Sequence, residues 1–272
     1  MKKYVIRDES RTPALPLGYL QYYEKSRSFV IELDDSLPPN EFPILFYEFA
    51  RKGIFTIDPG WSRRWVQARI VPRDRQNLAD ILRVNGLKEY DEMKLLHLSD
   101  GRCAQDYCSI AQVAGNDLPR WMQDRKYLRL ETLNCMPGAL FVLTYADSSV
   151  RLVHLQDLIT EDNRWLSVYA EDDERFRAAQ LLPGGTGIFW GDERRVIPLH
   201  LLRGAGMPLA LTAQQMRLYA YQSAIDTSEA CRVLNCSRQY LHHLVQSEKL
   251  HPMTQNGATS LFFRGDVERL TW

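Results

Sequence analysis

Two short amphipathic repeats mark the last quarter of the chain. Apolar side chains recur at i, i+3 and i+4 spacing in two sets: Ala230, Val233 and Leu234, then Leu241, Leu244 and Val245. Asp226 precedes the first set with Glu229 three positions after it, which is the spacing of a capping box, and Ser237 is placed to cap the second set. The pattern predicts two helices, each with one apolar face, separated by a turn at residues 235–236.

The segment that follows has the pattern of a β-hairpin. Asn256-Gly257 lies within residues 251–263 and strongly favours a two-residue hairpin turn, because both turn residues take positive φ. Asp266 is placed to cap a final helical turn. Because two helices this short bury little surface by themselves, we expect the hairpin and the last turn to cover their apolar faces. The predicted order is helix, turn, helix, wing, helix.

In this order, residues 225–270 resemble the winged helix-turn-helix of the excisionase and MerR type. The residues that carry the resemblance are Glu229-Ala230, Leu234, Cys236-Ser237-Arg238, Leu241, Leu244-Val245, Lys249-Leu250 and 262–270. Glu248 departs from the family, which usually has a glycine at that position. The resemblance implies that the second helix enters the major groove of DNA, flanked by the wing, with four residues near bases or phosphates: Ser237, Arg238, Gln239 and Tyr240.

The chemistry of this helix is compatible with DNA, although its charge is not strongly basic. Arg238 can bond guanine bidentately and Gln239 can bond adenine. Residues 206–272 contain six Lys or Arg and five Asp or Glu, a smaller basic excess than nucleic-acid-binding domains normally show. The alternative interpretation is a protein-interaction module in which both side chains belong to a solvated face.

The first half of the chain predicts an α+β domain. Its predicted strands and helices are strands 28–34 and 107–113 and helices 41–52, 75–85, 91–98 and 119–129. An apolar stripe that includes Phe46 and Phe49 marks the core face of the first helix. Residues 1–27 predict an irregular segment that ends in a strand. The Pro-Gly break at 134–138 predicts a domain boundary, and hence an N-terminal domain at 1–135 for sensing or partner contact.

A run of basic residues between positions 51 and 75 predicts a secondary basic patch. Its members are Arg51, Lys52, Arg63, Arg64, Arg69, Arg73 and Arg75. Trp61 and Trp65 are interleaved with them, and such a mixture can follow a phosphate backbone or bind an acidic partner. The alternative is a solvated rim around a strand at 65–71.

The segment after this run resembles the small N-terminal subdomain of HipA-type toxin kinases. The residues concerned are Arg75-Gln76-Asn77-Leu78, Gly86-Leu87, Leu95-Leu96 and Gly101-Arg102-Cys103-Ala104. No kinase core follows them, so the resemblance implies toxin-antitoxin ancestry and no kinase activity.

The middle of the chain predicts a small β-rich domain at 136–205. Its predicted strands are 139–145, 150–154, 176–182, 187–190 and 195–198. With Phe176, Ile188, Trp190 and Leu201-Leu202, this run resembles a bacterial domain of unknown function that often precedes a helix-turn-helix. Residues 139–205 hold seven Arg and ten Asp or Glu, which suits protein contact better than a DNA surface. A connecting helix is predicted within 206–224.

Composition narrows the function classes. The 272 residues include 34 Lys or Arg and 34 Asp or Glu, a balance that argues against general polyanion binding. An odd number of cysteines, five, in a chain that shows no export signal predicts reduced thiols, and their spacing predicts no metal site. No run is apolar enough for a membrane span, so we expect a cytoplasmic protein.

No arrangement of residues predicts catalysis or a cofactor. Residues 184–187 lack the Lys-Ser/Thr of a phosphate-binding loop and read as a hairpin turn. His154 and His200 have no nucleophile motif nearby. We therefore expect a protein without enzymatic activity.

The sequence thus predicts an α+β multidomain protein with a winged helix-turn-helix at 225–272. The expected function is that of a bacterial transcriptional regulator, a homodimer that reads double-stranded DNA with the helix starting at Ser237. The predicted DNA-contacting residues are Ser237, Arg238, Gln239, Tyr240, His242, His243, Asn256, Thr259 and Arg264. The alternative is a non-catalytic, antitoxin-like component of an operon-encoded complex that binds a protein partner through the N-terminal or middle domain.

Overall fold

A computed structural model describes residues 1–114, 118–209, 213–256 and 259–272. The fold mixes helices with antiparallel sheets, as the α+β prediction requires. The chain divides into two compact units, Met1–Gln123 and Asp124–Trp272. The division therefore lies at 123/124 rather than near 135, because residues on both sides of the predicted boundary pair as neighbouring strands of one sheet.

The N-terminal unit is an antiparallel sheet with helices packed on it. Its elements are β1 (Lys2–Asp8), β2 (Leu15–Tyr23), β3 (Ser28–Leu33), a 3-10 turn (Pro39–Glu41), α1 (Ile44–Arg51), β4 (Thr56–Ile57), α2 (Pro59–Gln67), α3 (Leu78–Val84), α4 (Glu92–Leu98) and β5 (Cys108–Gln112). The strand order is β4-β3-β2-β1-β5. All six residues of β3 are buried, as expected for a strand in the interior of a covered sheet.

Helices α1 and α2 each contribute a buried aromatic side chain to this core. Phe46 on α1 stacks on Trp65 of α2 with ring centroids 5.7 Å apart, and both are almost fully buried. The apolar stripe predicted for the first helix is therefore a core face. The helix begins at Ile44 rather than at residue 41, because Pro43 precedes it in an extended conformation.

Two sequence predictions in this unit are wrong. Residues 59–67 form a helix and not part of a strand at 65–71, since Asp58 accepts a hydrogen bond from the Trp61 N–H (3.1 Å) and Pro59 occupies the first helical turn. Residues 1–27, predicted as an irregular segment that ends in a strand, contain two long paired strands, β1 and β2, so the strand at the end is confirmed and the irregular start is wrong.

The C-terminal unit combines two small sheets, the helices that cover them, and residues 224–272, which we call the winged segment. Helix α5 (Arg120–Lys126) spans the division between the two units. The elements that follow it, up to residue 223, are β6 (Leu130–Met136), β7 (Leu140–Tyr145), β8 (Val150–His154), 3-10 turns (Leu155–Leu158 and Arg164–Leu166), α6 (Ser167–Ala170), α7 (Asp173–Arg177), β9 (Gln180–Leu181), a 3-10 turn (Pro183–Gly185), β10 (Gly187–Trp190), β11 (Asp192–Pro198), α8 (Leu199–Gly204), β12 (Met207–Pro208) and α9 (Ala213–Ser223). The sheet orders are β12-β8-β7-β6 and β11-β10-β9.

Aromatic packing holds the middle of this unit together. The ring of Phe176 lies 4.6 Å from that of Phe141, and Trp190 packs on the same cluster. Phe176 belongs to α7 and not to a strand, so the predicted strand at 176–182 shrinks to Gln180–Leu181. The glycines at 184 and 185 form the predicted turn between β9 and β10, both with positive φ.

Within the described part of the chain, no helix is both long and apolar enough to cross a membrane.

Candidate nucleic-acid interface

The two predicted helices begin at their predicted caps. The Asp226 side chain accepts a hydrogen bond from the Glu229 N–H (2.8 Å) at the start of α10 (Thr227–Val233). The Ser237 hydroxyl accepts one from the Tyr240 N–H (3.2 Å) at the start of α11 (Arg238–Gln246). Asn235 joins them with a φ of 48°, in the left-handed region that Asn tolerates. The helix-turn-helix is therefore specified by local hydrogen bonds.

A three-stranded sheet and a last helix cover the apolar faces of α10 and α11. The wing is a hairpin of β14 (Pro252–Asn256) and β15 (Thr259–Phe263), as predicted. The sequence did not predict β13 (Ala224–Asp226), which pairs with β15 and leads directly into α10. The buried side chains of this small core are Ile225, Ala230, Leu241, Leu244, Leu250, Phe262 and Val267. The last helix, α12 (Arg264–Arg269), begins two residues before Asp266, which lies in its first turn and not at its cap.

The outward side of α11 is polar and exposed; we call it the α11 face. Its members are Arg238, Gln239, Tyr240, His242, His243 and Gln246. Arg238 donates to the Ser228 hydroxyl (3.1 Å), and Gln246 and His242 are hydrogen-bonded to each other (3.0 Å). The structure thus brings five of the predicted DNA contacts onto one surface. Ser237 is exposed beside them, with its hydroxyl engaged in the cap.

The predicted DNA contacts outside α11 are not part of the α11 face. Arg264 donates to the Gln222 carbonyl oxygen (2.9 Å) and pairs with Glu229 (2.7 Å), so its guanidinium is committed within the protein. A phosphate contact by Arg264 would therefore compete with these bonds, and its predicted role at DNA stays a prediction. Asn256 and Thr259 lie in the paired strands of the wing, but their side chains are outside the described residues.

Some of the cations in this region are paired with carboxylates, and others are not. Arg264 is paired with Glu229, while Arg269 is paired with Glu131 (2.6 Å) and with Asp266. Among the described residues, the three cations Arg217, Arg238 and Lys249 have no carboxylate partner. One of them, Arg238, belongs to the α11 face, and another, Lys249, follows the end of α11.

The winged segment packs closely on the sheet of the same unit. Gly265 at the start of α12 lies against β6. A Cβ atom added to Gly265 would come within 2.8 Å of the Glu131 carbonyl oxygen. At the end of α9, just before the winged segment, the Gln222 amide donates to the Cys135 carbonyl oxygen (3.3 Å) and the Ser223 hydroxyl donates to Asn134 (3.4 Å). The helix-turn-helix is thus a built-in part of the C-terminal unit.

Glu268 lies at this contact between the winged segment and β6. Burial raises the pKa of its carboxyl above the ordinary value, the positive charge of Arg264 opposes that rise, and the negative charge of Glu229 adds to it. Both carboxylates line a cleft of about 640 Å³ that is bordered by Asn134 and Gln222. Protonation of Glu268 is therefore coupled to the packing of α12.

The predicted secondary basic patch is divided among separate local contacts. Arg69 is buried, pairs with Asp106 and has its guanidinium 3.8 Å from the centre of the Trp65 ring, so it is a core residue and not a phosphate contact. The other contacts are Arg51 with Glu48, Arg63 with Glu92, Arg64 over Trp61, Arg73 over Tyr90 and Arg75 with Asn77, while Lys52 is exposed.

The cysteines and the other ionisable side chains form no metal site in the described ranges, where no group of three or more His, Cys, Asp or Glu is suitably placed. All five cysteines are thiols. Burial raises the pKa of Cys108 and of Cys135 to about 12. Both are therefore protonated at neutral pH and are poor nucleophiles.

No family model matches this chain, and comparisons with the curated proteins and with solved structures find no similar protein.

Proposed function

We propose that the protein is a sequence-specific DNA-binding regulator in which α11 reads the major groove. The observation that carries the proposal is the construction of α11 itself. Its apolar side packs Leu241 and Leu244 into the core, while Arg238, Gln239 and His242 project into solvent. A capped helix that follows a helix and a tight turn, with a hairpin behind it, is the geometry with which winged helix-turn-helix domains dock on DNA.

Side-chain chemistry and charge support the same function. Arg and Gln are the residues that bond guanine and adenine edges bidentately. Arg238 at the start of α11 would reach a base edge, while the unpaired cation Lys249 beyond its end would contact a phosphate beside the groove. Because few cations are available, non-specific affinity should be modest and base contacts should carry much of the affinity.

A homodimer is part of the proposal. One helix of nine residues reaches only a few base pairs, whereas two copies related by a twofold axis cover two half-sites about one helical turn apart. The expected operator is therefore an inverted repeat.

The test is binding of the full chain to fragments of its own upstream region across a potassium chloride series. We expect a sequence-dependent complex whose affinity falls as salt rises. The double substitution Arg238→Ala with Gln239→Ala should weaken it by about 2 kcal/mol or more, since each bidentate base contact contributes about 1–3 kcal/mol.

The matched control removes the same two residue types from another exposed helix of the unit, as Gln214→Ala with Arg217→Ala on α9. This variant has the same net charge as the test variant, so any difference between them comes from the α11 face. Equal affinity of the two double variants for the DNA would contradict the proposal, and so would the absence of a specific complex at low salt.

A second candidate function, protein-partner binding as part of an operon-encoded complex, is favoured by apolar side chains on the surface of the C-terminal unit. Met207 on β12 is 60% exposed, and on α9 Met216 is 50% and Tyr221 is 82% exposed. Surface aromatic and methionine residues are common at protein interfaces. Recovery of a stable stoichiometric partner from cells, combined with no specific DNA complex, would select this function.

A further inference from the structure

A cavity of about 390 Å³ opens on the N-terminal unit, in the size range of small-molecule sites. It lies where β2, β3, α2 and the start of α4 meet. Tyr22 and Phe29 line it from the sheet with their rings stacked 5.0 Å apart, and Met93 lines it from α4. The buried sheet residues and the helices hold these walls in place, so the cavity is part of the folded unit.

Three arginines converge on this cavity from separate positions. Arg27 enters from the turn between β2 and β3, Arg63 from α2, and Arg73 from the segment after α2. Arg63 donates to the Arg27 carbonyl oxygen (2.8 Å), which ties two of the three positions together. Arg63 and Arg73 belong to one linear basic run in the sequence, and the fold places them around one cavity.

The carboxylates of the cavity are already used within the protein. Asp91 accepts a hydrogen bond from the Lys94 N–H (3.0 Å) as the cap of α4. Glu92 accepts from the Gln67 amide (2.8 Å) and pairs with Arg63 (3.2 Å). In contrast to Arg63, Arg73 has no carboxylate partner among the described residues. The cavity therefore keeps one cation whose charge the protein does not match.

Arg73 is also oriented by an aromatic ring. Its guanidinium lies 4.7 Å from the centre of the Tyr90 ring, and the Tyr90 hydroxyl donates to the Val71 carbonyl oxygen (2.8 Å). This bond fixes the ring, and stacking on it leaves the edge of the guanidinium, which carries the N–H donors, available to an anion. Planar guanidinium and phenol groups beside an apolar floor favour a flat ligand.

We infer that this cavity binds a small aromatic anion, in which a planar ring carries one phosphate or carboxylate group either directly or through a short linker such as a ribose. The anionic group bonds the N–H donors of Arg73, with Arg27 at the rim, and the ring lies against Tyr22 and Met93. A nucleoside monophosphate and an aromatic carboxylate share this chemistry. The site is independent of the α11 face, and its test requires no DNA.

The experiment is isothermal titration of the full chain with four probes: adenosine 5′-monophosphate, 4-hydroxybenzoate, adenosine and inorganic phosphate. We expect at least one of the two aromatic anions to bind with a Kd below about 1 mM, and both adenosine and inorganic phosphate to bind at least tenfold more weakly. The member of the pair that binds identifies the anionic group.

Two variants locate the binding. Arg73→Gln should weaken it roughly 10- to 100-fold, because it removes charge-assisted hydrogen bonds. Arg75→Gln, two residues away, removes an exposed arginine that bonds Asn77 and does not line the cavity, so affinity should be unchanged. Unfolding midpoints of both variants are measured to verify that they fold. The inference is overturned if neither aromatic anion binds, if inorganic phosphate binds equally well, or if Arg73→Gln binds like the wild type.

Discussion

Gly265 and Thr132 lie so close that no side chain fits between them: a Cβ atom on residue 265 would come within 2.3 Å of Thr132 Cγ2. Such an atom would also meet the Glu131 carbonyl oxygen at 2.8 Å, and backbone cannot move aside as a side-chain tip can. The two residues join α12 of the winged segment to β6 of the adjacent sheet. The absence of a side chain at 265 therefore permits this contact.

Gly265→Ala tests that contact. We expect it to destabilise the C-terminal unit by about 1–3 kcal/mol, the usual effect of overfilling a packed interface. The measurement is urea unfolding followed by circular dichroism. Gly204→Ala is the control, because it also adds one methyl group, at the end of α8, where nothing lies within 4 Å and φ is not positive. Equal stability of the two variants would contradict the close packing at 265.

Glu248 adopts a conformation that favours glycine. Its φ is 56°, just after the end of α11, in the left-handed region. We expect Glu248→Gly to raise the free energy of unfolding by about 0.5–1 kcal/mol, because the left-handed conformation is strained for a residue with a Cβ atom. Glu248→Ala keeps the Cβ atom and should show no such gain. A glycine variant that is no more stable than the alanine variant would rule out backbone strain at this position.

The buried Cys108 and the half-buried Cys135 should react last. Because burial raises the pKa of Cys108 and Cys135 to about 12, almost no thiolate is present at pH 8. Iodoacetamide treatment of the folded protein, followed by peptide mass spectrometry, should leave these two residues unmodified when others have reacted. In urea all five cysteines should be alkylated. Early labelling of Cys108 or Cys135 in the folded protein would contradict the raised pKa values of these thiols.

The stability of the C-terminal unit should carry a pH signature from Glu268. The folded protein raises the pKa of this carboxyl above 4.5. The contribution of the carboxyl to the free energy of unfolding is therefore fully present below pH 4.5 and is lost as the pH rises through the pKa of the folded state. Glu268→Gln should therefore be more stable than the wild type at pH 7.5, by up to about 1 kcal/mol after screening at a side chain that is 35% exposed.

This difference should shrink toward zero as the pH falls to 4.5 and below, where the wild-type carboxyl is protonated and resembles the amide. Urea unfolding at several pH values measures it. Gly204→Ala, which changes no ionisable group, should differ from the wild type by the same amount at every pH. A pH-independent difference for Glu268→Gln would refute the coupling.

The sequence by itself determined the helix-turn-helix. Asp226 and Ser237 cap the helices through hydrogen bonds to backbone three residues away, and the period of Leu241 and Leu244 follows from helix geometry alone. Such interactions depend on near neighbours, so they can be read in order along the chain. The hairpin of the wing is local in the same way.

Only the tertiary structure decided what distant residues do. The partner of Arg69 is Asp106, 37 positions away, and this contact turns a residue of the basic run into part of the core. Arg264 pairs with Glu229 across 35 positions, and Arg63 and Arg73 line a shared cavity. Composition gives the number of charges, but burial and pairing depend on which elements meet in space, and that is set by packing of the whole unit.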